Sequence, residues 1–425
     1  MDRDADRGNV ATTDDVARYF KRRTEKLEIV HTTRTPSGQL LDWIPIESQR
    51  PGGELASPPP PGSVQPLVSA SYELPAGVTG QARPVTFELE DPAAERGPEG
   101  TVPVVRKEFT DGPVTSSLRT YLAKYPKRAQ RADAEIPVGA DPNPVGFFHA
   151  TSGQTITCFG AQTVLNVWAP ALQNANDHSI MQLGLQNYDL PQLQSLEAGW
   201  EVSNEQYGDG GPHLFIYYTT NGYTKDDDNV GGYNQDVDGW VQVDNTIYPA
   251  SLLSPASTGG GGQQVITIKY QLFNANWWFQ VQDKWIGYYP ASLFMGNQSV
   301  FSTLGDHASW AAFWGEVYTS DPDQNATTTQ MGSGTFGEAG FNQACYQSNL
   351  QVQTDRAGAM ANHNGSPSAE NSAYYDIVPT MNSGTSWGSY FYAGGPGIRG
   401  PVGVDRRHRP GRGAAGGGRP QREPA

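Results

Sequence analysis

The chain has 425 residues, with 29 Lys+Arg set against 44 Asp+Glu, a formal charge of −15. Its 49 Gly and 32 Pro exceed average usage of roughly 7% and 5%, a turn-rich composition that excludes a helical bundle or coiled coil. No apolar run approaches the roughly 18 residues of a membrane span, and the acidic balance argues against nucleic acid, whose phosphates need Lys and Arg.

The charge is unevenly spread. Residues 1–130 hold 17 basic and 18 acidic groups, residues 131–400 hold 6 and 24, and residues 401–425 hold 6 and 2. The middle segment therefore repels itself at neutral pH, and protonation removes that repulsion. It also has few ion pairs to lose in acid. Work in an acidic medium is the expectation, with an acidic domain that is merely soluble as the bland alternative. Residues 131–400 form one domain on this count, preceded by regions 1–50 and 51–130 and followed by a tail.

In chain order, residues 14–28 read as a short helix, capped by Asp14 or Asp15, with a partial apolar stripe of Val16, Tyr19, Phe20 and Leu27. Two alternating runs then flank Pro36-Ser37-Gly38, a hairpin signal. Pro58 to Pro61 lie in an extended linker over 51–66. Lys124, Lys127, Arg128 and Arg131 cluster where a processing protease can cut, although a solvated loop explains them too. From 145 to 355 the chain reads as nearly all β. TVLNVWAP, LEAGWEV, HLFIYYTT, GWVQVDN, QVITIKYQLF, NWWFQVQDKWIGYY, AAFWGEVYTS and SNLQVQT recur between Gly, Asn and Asp clusters. Strands at this spacing predict an all-β fold, an antiparallel sandwich or barrel. Residues 264–273 and 277–283 form a tight hairpin about Asn274-Ala275-Asn276. Residues 401–425 are Gly/Arg/Pro-rich and are expected to be disordered.

Most chemistries lack a signature here. There is no GxSxG elbow, HExxH, Walker loop or dinucleotide fingerprint. His31, His149, His178, His213, His307, His363 and His408 show no paired ligand spacing, so no metal or cofactor is expected. The Asp226-Asp227-Asp228 run, with Asp236 and Asp238, lacks the EF-hand order and reads as a solvated loop. Cys158 and Cys345 form either one long-range disulfide or two buried thiols. Carboxylates on strands carry more information, because strands disfavour Glu. Alternation in Leu196–Val202 puts Leu196, Ala198, Trp200 and Val202 on one face, with Glu197, Gly199 and Glu201 on the other. Bare Gly199 beside Glu197 leaves room for a ligand's backbone. Glu316 shares its face with Trp314 and Tyr318, which would desolvate it and raise its pKa.

Taken in order, these motifs resemble the neprosin family of secreted glutamic endopeptidases. The matching stretches are NVWAP (166–170), LEAGWEVSNEQYGD (196–209), HLFIYYTTNGY (213–223), SLLSPASTGGG (251–261), NWWFQVQDKWIGYYPASLF (276–294), STLGDHASW (302–310), WGEV (314–317), TTQMGSGTFGEAGF (328–341) and YFYAGGPG (390–397). LEIVHTTRTPSGQLLDWIPIESQ (27–49) looks like the family's activation peptide, and GPEGTVPVVR (97–106) like the bridge before its catalytic domain.

The resemblance implies a β-sandwich catalytic domain at 131–400, an α/β pro-segment before it, and two catalytic glutamates, Glu197 and Glu316. Where the family commonly has Trp-Gly-Gly-Glu, this chain has Phe313-Trp314-Gly315-Glu316, so an indole reshapes a subsite. Trp314 and Tyr318 are candidate substrate contacts. Gln330 is the candidate donor to a tetrahedral oxyanion, with a purely structural amide as its alternative. Two close carboxyls hold one proton between them over an acidic range. One takes a proton from the attacking water while the other protonates the leaving amine. Plant members of the family cut after proline at acid pH. The expected partners are a peptide substrate and the chain's own pro-segment, not nucleic acid or membrane. A secreted monomer made as a zymogen is the expectation, although MDRDADRGNV shows no signal peptide. A glycoside hydrolase and a non-catalytic carbohydrate-binding sandwich are the rival readings.

Overall fold

The computed structural model describes residues 13–60, 82–109, 117–125, 146–189, 192–296 and 303–398. Lys127, Arg128, Arg131 and the C-terminal tail lie outside the described residues.

The N-terminal region comprises α1 (Thr13–Lys26), β1 (His31–Arg34), β2 (Leu40–Pro45), β3 (Ala82–Pro84), β4 (Thr101–Val105) and α2 (Leu118–Leu122). The predicted helix and hairpin are both there. β1 and β2 pair about the Pro36-Ser37-Gly38 turn, where Gly38 has φ 98°, a left-handed conformation that glycine tolerates. β4 adds to β2, so residues expected to be a bridge are the third strand of this small sheet. One sheet thus spans the boundary drawn at residue 50. Val16 and Phe20 on α1 pack against Tyr121 and Leu122 of α2, the apolar stripe finding its partner far along the chain.

The rest builds two antiparallel sheets face to face. In chain order come β5 (Phe147–Cys158), β6 (Gly160–Asn166), β7 (His178–Asn187), β8 (Gln194–Ser203), β9 (His213–Thr219), β10 (Gly231–Tyr233), β11 (Val241–Gln242) and β12 (Gln263–Phe273). They are followed by β13 (Asn276–Val281), β14 (Lys284–Pro290), β15 (Ala308–Tyr318), β16 (Cys345–Gln353), β17 (Met360–Asn362), β18 (Ser366–Ala369), β19 (Asp376–Thr380) and β20 (Tyr390–Gly394). One sheet runs β10-β9-β8-β7-β15-β5-β18. The other runs β11-β14-β13-β12-β6-β16-β20-β19, with β17 and β3 pairing at its sides.

Alternation decides what lies between the sheets. Leu196, Ala198, Trp200 and Val202 of β8 meet Ile266, Ile268, Tyr270 and Leu272 of β12 in one continuous core. Trp200 donates its indole N–H to the Asn166 carbonyl at 2.9 Å, so it is core, on the face away from Glu197. The predicted hairpin of β12 and β13 turns at Asn274 and Ala275, both at positive φ. Cys158 and Cys345 are free and buried, so no disulfide joins them. Cys158 ends β5 opposite Ala308 in one sheet, while Cys345 opens β16 opposite Ala393 in the other, its thiol against the Asn166 carbonyl.

Candidate active site

The outward face of the seven-stranded sheet carries the polar residues. β7 lies between β8 and β15, with Gly184 opposite Glu197 and Ile180 opposite Glu316. The two glutamates therefore rise from strands two apart and lean toward each other over Gln182. Gly184 makes this feasible, since a Cβ there would stand 2.4 Å from the Trp314 ring. Gly199, expected to leave space for a ligand, is instead filled from within the sheet. A Cβ at that position would lie 2.0 Å from the Met181 carbonyl oxygen.

Glu197 and Glu316 are fully buried, and one cation joins them. Lys124, two residues beyond α2, bonds Glu197 Oε2 and stands 3.2 Å from Glu316 Oε2. Gln182 Oε1 accepts from the same ammonium at 3.0 Å. The rings of Phe215, Tyr217 and Trp314 surround it at 5.6–5.9 Å, close enough for cation–π attraction. Tyr125 closes the lid, edge-on to Phe147 and Tyr223 with centroids 4.6 Å from each. What seals the carboxyls is the chain's own N-terminal region.

The two carboxyls have different surroundings. Glu197 Oε1 accepts from the hydroxyls of Ser195 at 2.8 Å and Tyr223 at 2.5 Å. Glu316 Oε2 accepts from Gln182 Nε2 at 2.9 Å and Trp314 Nε1 at 3.2 Å. His178 Nε2 lies 3.3 Å from Glu316 Oε1, and His149 Nε2 lies 3.5 Å from Oε2. The expected upward shift of Glu316 does not occur. Burial does push its pKa up, but Lys124, His149 and His178 outweigh it and hold the carboxyl well below its usual range. Lys124 is correspondingly pushed above the ordinary lysine value, burial opposing and the two glutamates prevailing.

Trp314 and Tyr318 both border the site. Trp314 touches Glu316, and Tyr318 lies 4.7 Å from the Phe147 ring and 5.5 Å from His178. Gln330 does not join them. Its side chain accepts from the Ala171 N–H at 3.0 Å, and among the described residues it hydrogen-bonds neither glutamate. The amide that reaches Glu316 is Gln182, on β7. His149 and His178, too, are invisible to sequence motifs, because only strand pairing brings them to Glu316.

Asp228 of the acidic run, with Asp236 and Asp238, forms a docking surface rather than a solvated loop. Arg23 of α1 pairs with Asp228 at 2.5 Å and Asp238 at 2.9 Å. Lys107 pairs with Asp236 at 2.7 Å and also reaches Tyr121 and Gln206. The near-neutral N-terminal region thus supplies cations that the acidic domain lacks.

The sequence profile of the neprosin family matches residues 175–396, slightly more than half of the chain. The chain belongs to the neprosin family. Among solved structures, scytalido-glutamic peptidase with a peptide-based transition-state analogue is similar at 9% identity and a TM-score of 0.32, over 58% of this chain and 97% of that one. SCP-B, a member of the eqolisin family of peptidases, is similar at 10% identity and a TM-score of 0.30, over 58% and 96%. Apo Crh5 transglycosylase is similar at 12% identity and a TM-score of 0.24, over 50% and 78%. The neprosin match begins three residues before His178 and takes in both glutamates, whereas Lys124 and His149 precede it.

Proposed function

We propose that this neprosin-family chain is the zymogen of a secreted, acid-active endopeptidase that cleaves peptide bonds with the pair Glu197 and Glu316. One observation carries the reading: two buried carboxyls on separate strands converge on a single ammonium that the N-terminal region supplies. Lys124 neutralises the pair and fills the space a substrate needs.

Withdrawal of Lys124 leaves two carboxyls close together with no cation between them, and two such like charges cannot both ionise easily. One proton is then divided between them. The ionised carboxylate accepts a proton from water as the water oxygen attacks the scissile carbonyl carbon. The protonated partner hydrogen-bonds the carbonyl oxygen and then protonates the leaving nitrogen. Gln182 and Tyr223 are neutral donors beside the pair and suit the developing oxyanion. Tyr125 occupies a slot walled by Phe147 and Tyr223. A substrate ring fits the same slot after maturation, and proline at the cleaved bond is the first preference to test.

The experiment is digestion of a denatured protein at pH 3–5 by wild type, Glu197→Gln and Glu316→Gln, with a peptide library to read the cut bonds. Each variant is expected to lose a factor of about 10² to 10⁴, the usual worth of a positioned acid or base. Near-normal turnover by either correctly folded variant would rule out the assignment. Release of sugar rather than peptide would favour the glycosidase alternative.

A further inference from the structure

Glu197 and Glu316 are backed by different chemistry, and the difference does not depend on Lys124. Behind Glu197 stand the neutral hydroxyls of Ser195 and Tyr223. Behind Glu316 stands an imidazole that is itself gripped by a further carboxylate. His149 lies directly opposite Glu316 in the β5–β15 register. Its Nδ1 is 2.8 Å from Glu370 Oε1, and its backbone N–H donates to Glu370 Oε2 at 2.9 Å. Glu370 directly follows β18, the strand paired to β5, and its own N–H donates to the His149 carbonyl at 3.3 Å. Main chain and side chain together fix the ring with one nitrogen toward Glu370 and the other toward Glu316.

We infer that His149, clamped by Glu370, is a positioning residue that holds an imidazolium against Glu316, so that Glu316 is the carboxylate that accepts the water proton and Glu197 is the carboxyl that donates. This rests on the two-glutamate reading above. The charged or titratable groups near the ring are few. Glu316 faces it from β15, Glu370 from beyond β18, and Lys124 meets Glu316 from the far side. His178 on β7 reaches the other oxygen of Glu316, with Glu201 of β8 at 3.8 Å behind it. Burial alone would neutralise His149, but hydrogen bonds and attraction from Glu316 and Glu370 push its pKa up to about 9. It is held charged wherever Glu316 and Glu370 are ionised. Glu201 is not an equivalent clamp. Burial drives its carboxyl upward against the pull of His178 and Tyr207.

Two measurements test this. In the full-length chain, NMR of ¹³C-labelled imidazole Cε1 reads the titration of His149. The midpoint is expected well above the ordinary histidine value and at least one pH unit lower in Glu370→Gln. A wild-type midpoint at or below the ordinary value overturns the inference, whatever the activity. In acid-matured protein, the acid limb of the kcat/KM profile is expected to move up by about one pH unit in His149→Gln and to stay in place in His149→Arg, with KM unchanged in both. An unmoved limb in His149→Gln also overturns it. If His149→Gln does not fold, the imidazole titration decides alone. Absence of any peptidase activity defeats the earlier reading, but leaves the imidazole titration to judge the His149–Glu370 pair.

Discussion

Replacing Lys124 with Met tests the latch directly. Methionine keeps the length of the side chain and removes its charge. Lys124 is fully buried and bonds both glutamates, so the substitution strands two carboxyls in a site closed to water. Removing one partner of a buried ion pair costs about 3–5 kcal/mol. Expressed as weaker docking of residues 117–125, this raises the open population by about two to three and a half powers of ten. The sign with pH follows from Glu316. Its carboxyl is held low by Lys124, His149 and His178, so its ionic contacts are present above the ordinary carboxylate value and are lost only as pH falls through the lowered one. Without Lys124 that carboxyl rises, and self-shortening begins at milder acidity. Intact-mass time courses from pH 3 to 7 are the assay. Lys124→Met is expected to shorten at a pH at least one unit above the wild-type onset, and Lys124→Met/Glu197→Gln is expected not to shorten. The same onset and rate in Lys124→Met and wild type would refute the latch.

Two further outcomes probe the domain itself. Asp226 is buried against the Tyr217 hydroxyl, and burial pushes its pKa up to about 7 despite that hydrogen bond. The folded state then binds the proton more tightly than the unfolded chain, so the favourable contribution is present below the ordinary aspartate pKa and disappears as pH rises through 7. Asp226→Asn is expected to raise unfolding free energy at pH 8 by up to about 4 kcal/mol while changing little at pH 3.5, as read by chemical denaturation. Equal effects at both pH values would contradict that assignment. Gly184→Ala would drive a methyl into the Trp314 ring and displace the indole that donates to Glu316. A loss of about 1–3 kcal/mol by thermal or chemical unfolding is expected from overpacking, together with at least a tenfold fall in turnover. A wild-type profile in both would show that the ring has room to move.

The residue pattern alone determined an all-β fold, sandwich or barrel, because strands betray themselves locally, and the family resemblance chose the sandwich. Alternation in LEAGWEV separates a core face from an outer face with no knowledge of the partner strand and set Glu197 opposite Leu196, Ala198, Trp200 and Val202, while in AAFWGEVYTS it grouped Glu316 with Trp314 and Tyr318. The hairpins over 31–45 and 263–281 were equally legible from their turns. Two strands flanking β15 gave no such signal. In β5, His149, Thr151 and Gly153 alternate with Phe148, Ala150 and Ser152, too polar to read as half-buried, yet this strand supplies the imidazole facing Glu316. In β7 the key residues are Gln182 and Gly184, whose value lies in what stands across the sheet.

Tertiary structure alone decided how the site is charged. Sequence neighbours made Glu316 a desolvated carboxyl with a raised pKa. Folding surrounds it with Lys124, His149 and His178, each from a different part of the chain, and reverses the sign. It likewise gave Arg23 a seat on Asp228 and Asp238, and left Cys158 and Cys345 as two buried free thiols. The physical reason is range. Burial and alternation are set by adjacent residues, whereas ionisation depends on whichever charges the fold brings within a few ångströms.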